Sequence, residues 1–91
     1  MQQIRPWTEQ ERLALEKALD LIERGQPLPA DIAFSAHCAM LDCKDGAGAG
    51  AAIWCTAPSE EIAIRITRES LEVQRDDIRT MIDMERCSST H

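Results

Sequence analysis

Ala51-Ala52-Ile53-Trp54-Cys55-Thr56-Ala57-Pro58-Ser59-Glu60-Glu61-Ile62-Ala63-Ile64-Arg65-Ile66-Thr67 is the stretch on which the fold turns. Ile62, Ile64 and Ile66 alternate with Ala63 and Arg65, a period of two with β-branched side chains on one side. That pattern predicts a strand over Glu61 to Thr67. Ala51 to Thr56, carrying Ile53, Trp54 and Cys55, is a shorter strand candidate, and Ala57-Pro58-Ser59-Glu60 reads as the turn between them. Together they predict an antiparallel hairpin with Trp54 packed across it. A lone two-stranded hairpin is marginal in water. It must lie under helices or extend its sheet through a second copy, which predicts a homodimer with a shared four-stranded sheet; dimerisation through helix faces serves equally well.

Helices flank this stretch. On its N-terminal side, Thr8 to Arg24 opens with a capping box, Thr8 and Glu11, in which the glutamate reaches back to the cap's N–H. Leu15, Ala18, Leu19 and Ile22 make one apolar face, widened by Ala14 and Leu21, and Gly25 supplies the stop. Asp20 and Arg24 are spaced as a favourable i,i+4 pair. Gln26-Pro27-Leu28-Pro29 is a rigid linker. From Ala30 to Cys43 a strand would align Ile32, Phe34, Ala36, Cys38 and Met40, whereas a helix would align Asp31, Ser35, Cys38 and Asp42. Abundant alanine, Pro29 at the start and Lys44 with Gly46 at the end favour the helix, buried around most of its circumference. Gly46 to Gly50 reads as a flexible connection. Thr67 caps a last helix to Arg86 with Leu71, Ile78, Met81 and Ile82 as its stripe. The expectation is a single α+β domain over residues 1–91, three helices with a two-stranded antiparallel hairpin in the order α-α-β-β-α. The alternative is α-β-β-β-α.

A chain of 91 residues has a thin core, since alanine supplies much of its apolar fraction and only Trp7, Phe34 and Trp54 are aromatic. Small domains of this kind gain from association. The formal charge of −6, from 16 acidic against 10 basic residues, repels phosphate backbones and anionic membranes. It suits a basic protein partner instead. The N-terminus has no apolar h-region, and no apolar run approaches the roughly 20 residues that span a bilayer. A reducing, cytoplasmic setting with free thiols is the expectation.

Four cysteines, Cys38, Cys43, Cys55 and Cys87, with His37 beside the first, offer zinc, disulfide and redox readings. Structural zinc draws its ligands in close pairs, which these spacings lack. On a helix Cys38 and Cys43 point about 140° apart and His37 turns away from Cys38. A bridge between those two cysteines exceeds the ~7 Å span of a disulfide. Cys55 can reach Cys38 or Cys43 only if the hairpin packs on that helix. Cys87, near a helix C-terminus, sits where the dipole disfavours thiolate, although Arg86 is adjacent. The thiols read as small buried packing groups, with no metal and no cofactor expected.

The remaining motifs carry little chemistry. The run Gly46-Ala47-Gly48-Ala49-Gly50 follows a helix and lacks the Lys-Ser/Thr closure of a phosphate loop. Glu60/Glu61 and Asp76/Asp77 read as solvated faces. Pro6-Trp7-Thr8-Glu9-Gln10-Glu11-Arg12 resembles the opening of Myb/SANT-type helix-turn-helix domains, over the first helix and no further. The family's later aromatic positions and basic recognition helix have no counterpart. Arg68, Arg75, Arg79 and Arg86 are outnumbered by Glu69, Glu72, Asp76, Asp77, Asp83 and Glu85, so no nucleic acid is expected.

What these residues favour is a small acidic, non-enzymatic regulator or inhibitor that occludes a surface of another protein. An antiactivator of a transcription regulator, or an inhibitor of a nuclease or defence complex, would work this way. Trp54, Arg65 and Trp7 are the candidate interface residues, tryptophan being enriched at interface hot spots. A metal- or redox-responsive thiol protein is the first alternative and a DNA-binding helix-turn-helix factor the second.

Overall fold

Thr8 and Glu11 close on each other as the capping box requires. The Thr8 hydroxyl accepts the Glu11 N–H at 3.2 Å and the Glu11 carboxylate accepts the Thr8 N–H at 2.9 Å. They start α1, Glu9–Glu23, in a computed structural model that describes residues 6–45 and 48–89, the side chains of 43–45 and 88–89 excepted. α1 ends as the glycine predicts. Gly25 takes φ +70°, its N–H reaches Ile22 O and that of Gln26 reaches Leu21 O, a Schellman closure. The spacing of Asp20 and Arg24 is not what engages Asp20, whose carboxylate accepts from Arg79 at 2.9 Å.

α2, Ala30–Asp45, follows the Pro-rich linker, with Pro29 O accepting the Ala33 N–H. The helical reading of residues 30–43 therefore holds and the strand alternative does not. α2 is the central element, with α1, α3 and α4 all packed against it. Ala33, Ala36, Ala39 and Met40 bury its inner face. Alanines there let the neighbouring backbones approach closely.

Both expected strands are helical, so the α+β fold and its α-β-β-β-α alternative give way to five helices with no strand among the described residues. Residues 51–56 belong to α3, Ala49–Thr56, where Ala49, Ala51 and Ala52 favour the helix over the strand. The isoleucine repeat belongs to α4, Glu60–Val73. Ser59 caps it, its hydroxyl accepting the Ile62 N–H at 3.2 Å, and Glu60 and Glu61 complement the positive end of the helix dipole. The period that wins is 3.6. Ala63, Thr67 and Leu71, at i, i+4 and i+8, are buried, while Ile62 and Ile64 are half-buried and Ile66 is exposed. Burial of a small-residue face against α2 outweighs the alternation, because the isoleucines satisfy a half-buried helix margin equally well.

Thr67 is thus not a cap but a buried residue in mid-helix, and the expected helix from 67 to 86 is divided at Gln74. Beyond it runs α5, Arg75–Ser89, whose first turn begins with Gln74 O accepting the Ile78 N–H. Ile78 and Ile82 join Leu15, Leu19, Leu71 and Trp7 in the core. Without strands the shared-sheet route to a dimer disappears. The expected glycine linker is only partly described: residues 46 and 47 lie outside the described residues, Gly48 stands at the start of α3 with φ +88°, and Gly50 lies inside the helix. No helix among the described residues is long and apolar enough to cross a membrane.

Candidate functional site

Leu13 and Phe34 are large apolar side chains left 53% and 39% exposed on neighbouring helices. Leu13 lies on the side of α1 away from the Leu15–Ile22 stripe, and Phe34 sits at the margin of the buried face of α2. Between the two helices runs an open groove with two depressions that share Ala14 and Ser35. One is lined by Leu13, Lys17, Asp31 and Ile32, the other, of about 350 Å³, by Thr8, Gln10, Glu11, Phe34, Cys38 and Ala39. Its floor is apolar and its edges carry Glu11, Asp31 and Lys17.

Trp54 packs against Phe34. The two rings meet edge to face, with centroids 5.3 Å apart and planes at 81°. The indole N–H of Trp54 points inward, 3.1 Å from His37 Nδ1 and 3.2 Å from Thr67 Oγ1. Thr67 Oγ1 is also 3.0 Å from His37 Nδ1 and 2.9 Å from Ala63 O, so that its one hydroxyl hydrogen can be donated to either. An indole N–H can only donate. Nδ1 of His37 therefore accepts, which places the proton of the neutral ring on Nε2. His37 is buried, and that desolvation holds its pKa below the usual histidine value.

The three candidate interface residues occupy different settings. Trp54 is half-buried, tied to His37 and Thr67 on one side and to Phe34 on the other. Arg65 lies on the exposed side of α4. Trp7 is only 2% exposed; its indole N–H donates to Ala39 O at 2.9 Å and its own carbonyl accepts from Arg12 at 2.8 Å. Trp7 thus staples α1 to α2, with no surface left over for a partner. The structure does not gather the three into one patch. The sequence does not single out Leu13 or Phe34: Leu13 carries a signal, as a large apolar residue outside its helix's buried stripe, but Phe34 falls on a helix that is apolar around most of its circumference.

The thiols scatter. Cys38 is half-buried against Gly50, and burial followed by the nearby Asp42 carboxylate pushes its pKa up, which works against nucleophilic chemistry. Cys55 and Cys87 are exposed on α3 and α5, and the Cys43 side chain lies outside those described. Among the described residues no three His, Cys, Asp or Glu side chains converge as metal ligands would. His37 and Cys38 diverge as helix geometry dictates, one toward α4 and the other toward Gly50. The paired carboxylates Glu60/Glu61 and Asp76/Asp77 stand in the exposed first turns of α4 and α5.

Charged side chains instead lace α1 to α5. Arg12, buried though cationic, donates to Glu85 at 3.1 Å and to Glu9 at 2.9 Å. Arg86 bonds Glu9 at 2.8 Å and also Glu16, and Arg79 bonds Asp20 and Glu23. These arginines are occupied in holding helices together, which leaves the groove side to apolar contact. No protein-family model, curated protein or solved structure matches this chain.

Proposed function

We propose that the protein is a small acidic regulator or inhibitor that binds another protein in the cytoplasm and occludes its surface, with the α1–α2 groove as the contact face. The observation that carries this reading is the exposure of Leu13 and Phe34, one beside each depression of the groove. Large exposed apolar side chains spaced along an open groove are what a helix or loop of a partner needs as anchors. The net charge of −6 favours a basic partner by steering its approach. The thiols at Cys38, Cys55 and Cys87 suit a reducing compartment. Association of two copies through the same face is the form that homodimerisation takes in this reading.

The test uses purified protein immobilised through its C-terminus. Wild type, the double variant Leu13→Ser/Phe34→Ser and Val73→Ser are compared for capture of proteins from the source lysate, and each captured protein is then purified and its affinity measured. Val73, 86% exposed at the end of α4, is the control for exposed apolar surface as such. The groove reading expects at least a tenfold loss of affinity in the double variant, about 1.4 kcal/mol or more, and none in Val73→Ser. Equal binding by all three would sink it. Light scattering of wild type against the double variant tests the dimer: a groove-mediated dimer dissociates in the variant.

A further inference from the structure

We propose that His37 and Trp54 form an acid-released latch that holds α3 against α2 and keeps Phe34 partly covered. This device stands apart from whatever binds the groove. α3 is short, and only Gly50 of its eight residues is buried. Ala52, Ile53, Cys55 and Thr56 face solvent. Its ties to the body are the packing of Ala49 and Trp54 against the core, the Gly50 approach to Cys38, the Gly50 N–H donating to Asp42 Oδ1 at 3.2 Å, the Phe34–Trp54 ring contact, and the Trp54 N–H donating to His37 and Thr67.

Protonation removes the His37 half of the last of these. An imidazolium carries hydrogens on both nitrogens, so Nδ1–H would face the indole N–H across 3.1 Å, donor against donor. The new N–H turns to Thr67 Oγ1, which then accepts from both donors while its own hydrogen goes to Ala63 O. The indole loses His37 as an acceptor, keeps Thr67 alone and is pushed by the facing N–H, which loosens the edge-to-face contact that covers Phe34.

Among the described residues, no carboxylate is directed to the ring. Trp54 of α3 and Thr67 of α4 meet the ring and both are uncharged. On α4, Arg68 is directed to Gln26 O and Glu72, while Glu61, Arg65 and Glu69 are exposed. On α1, Glu11 serves the Thr8 cap, Glu16 meets Arg86, and Arg12 meets Glu9 and Glu85. On α2 itself, Asp42 accepts from Gly50, and Cys38 is directed to Gly50. With the closed-state pKa lowered, the sign is fixed. Well above the ordinary histidine value both states hold a neutral ring and the latch is fully effective. As pH falls below that value the open state binds a proton that the closed state refuses. Opening then rises by up to about tenfold per pH unit until the closed-state pKa is reached.

The test is NMR of the full chain with nitrogen-15 in its two tryptophans, from about pH 7.5 to about pH 4.5. Exchange of each indole N–H is corrected for its intrinsic pH dependence, and the His37 ring is followed in the same samples. The latch expects Trp54 protection to fall by up to about tenfold per pH unit below the ordinary histidine value and to level off where the His37 ring itself becomes protonated, while Trp7 protection stays constant. His37→Gln, whose amide oxygen accepts without titrating, should flatten the Trp54 profile, and Asp42→Asn should leave it unchanged. Loss of Trp54 and Trp7 protection together would mean global unfolding and overturn the latch. So would Trp54 protection that holds steady all the way from the ordinary histidine value down to the pH at which the His37 ring titrates. The wild-type comparison decides the matter even if His37→Gln does not fold.

Discussion

Gly50 lies so close to α2 that a β-carbon built on it would stand 2.6 Å from the Cys38 α-carbon and 3.0 Å from both the Cys38 nitrogen and sulfur. Two of those three atoms are backbone and cannot step aside. Gly50→Ala should therefore destabilise the fold even though alanine is the better helix former. Overpacking costs about 1–3 kcal/mol, against roughly 1 kcal/mol gained in propensity. Thermal melts should show a lower Tm. Gly50→Ala melting at or above wild type would mean that α3 does not sit on Cys38.

Gly25 makes the opposite case, since nothing lies within 4 Å of an added β-carbon there but φ is +70°. Gly25→Ala should lose about 1 kcal/mol through backbone strain alone, and Gly25→Asn, which tolerates the left-handed region, should lose less. Chemical denaturation of the pair measures the difference. Equal losses would point to packing in place of strain.

Arg12 should resist conservative replacement. It is 8% exposed, and one guanidinium serves the Trp7 carbonyl, Glu85 and Glu9 at once. A lysine ammonium cannot reproduce that fork. Arg12→Lys and Arg12→Ala should both cost about 2–4 kcal/mol, because a buried carboxylate and carbonyl lose their shared donor. Denaturation midpoints followed by fluorescence of Trp7 test this. Wild-type stability in Arg12→Lys would refute the three-way contact.

Much of this architecture can be read in advance and part of it cannot. Thr8, Glu11 and Gly25 announce α1 because capping is local chemistry, and the alanines after Pro29 announce α2 for the same reason. Ile62, Ile64 and Ile66 mislead because seven residues fit a period of two and a period of 3.6 almost equally. The choice falls to Ser59-Glu60-Glu61, a helix start, and to burial of Ala63 and Thr67 against His37 on α2. That burial is tertiary. Gly50 reads as linker in sequence since close approach to Cys38 is visible only when α3 is in place. The groove is hidden for a similar reason: Leu13 is marked by lying off its stripe and Phe34 is not, and which helices they face depends on the packing of α1 on α2.

Glu9 provides a titration that can be followed by itself. Its carboxylate is held below the usual glutamate pKa, chiefly by hydrogen bonding to Arg12 and then to Arg86. A lowered folded-state value means that the tie stabilises the fold at neutral pH and is lost as pH falls through that value. Arg86→Gln should move the Glu9 pKa upward, toward but not up to the ordinary value, since Arg12 remains. Carbon-13 NMR of the side chain reads this directly, and an unmoved Glu9 would remove Arg86 from the α1–α5 network.

Thr67 joins α4 to His37 and Trp54 through one hydroxyl, so Thr67→Val deletes the junction while keeping its shape. The donor to Ala63 O is lost, but that carbonyl retains its bond within the helix. His37 Nδ1 and the Trp54 N–H keep each other at 3.1 Å. The loss should therefore be modest, about 1–2 kcal/mol, because no buried donor is left without an acceptor. Trp54→Phe is the harsher change: it removes the only obligatory donor aimed at Nδ1 and leaves the buried ring nitrogen to Thr67 alone. It should cost more than Thr67→Val, and Thr67→Ser should cost less than either if the hydroxyl carries the effect. Stability measured above about pH 7, where His37 is neutral, gives the ordering; Thr67→Ser falling below Thr67→Val would show that the methyl group, not the hydroxyl, is what α2 needs at this position.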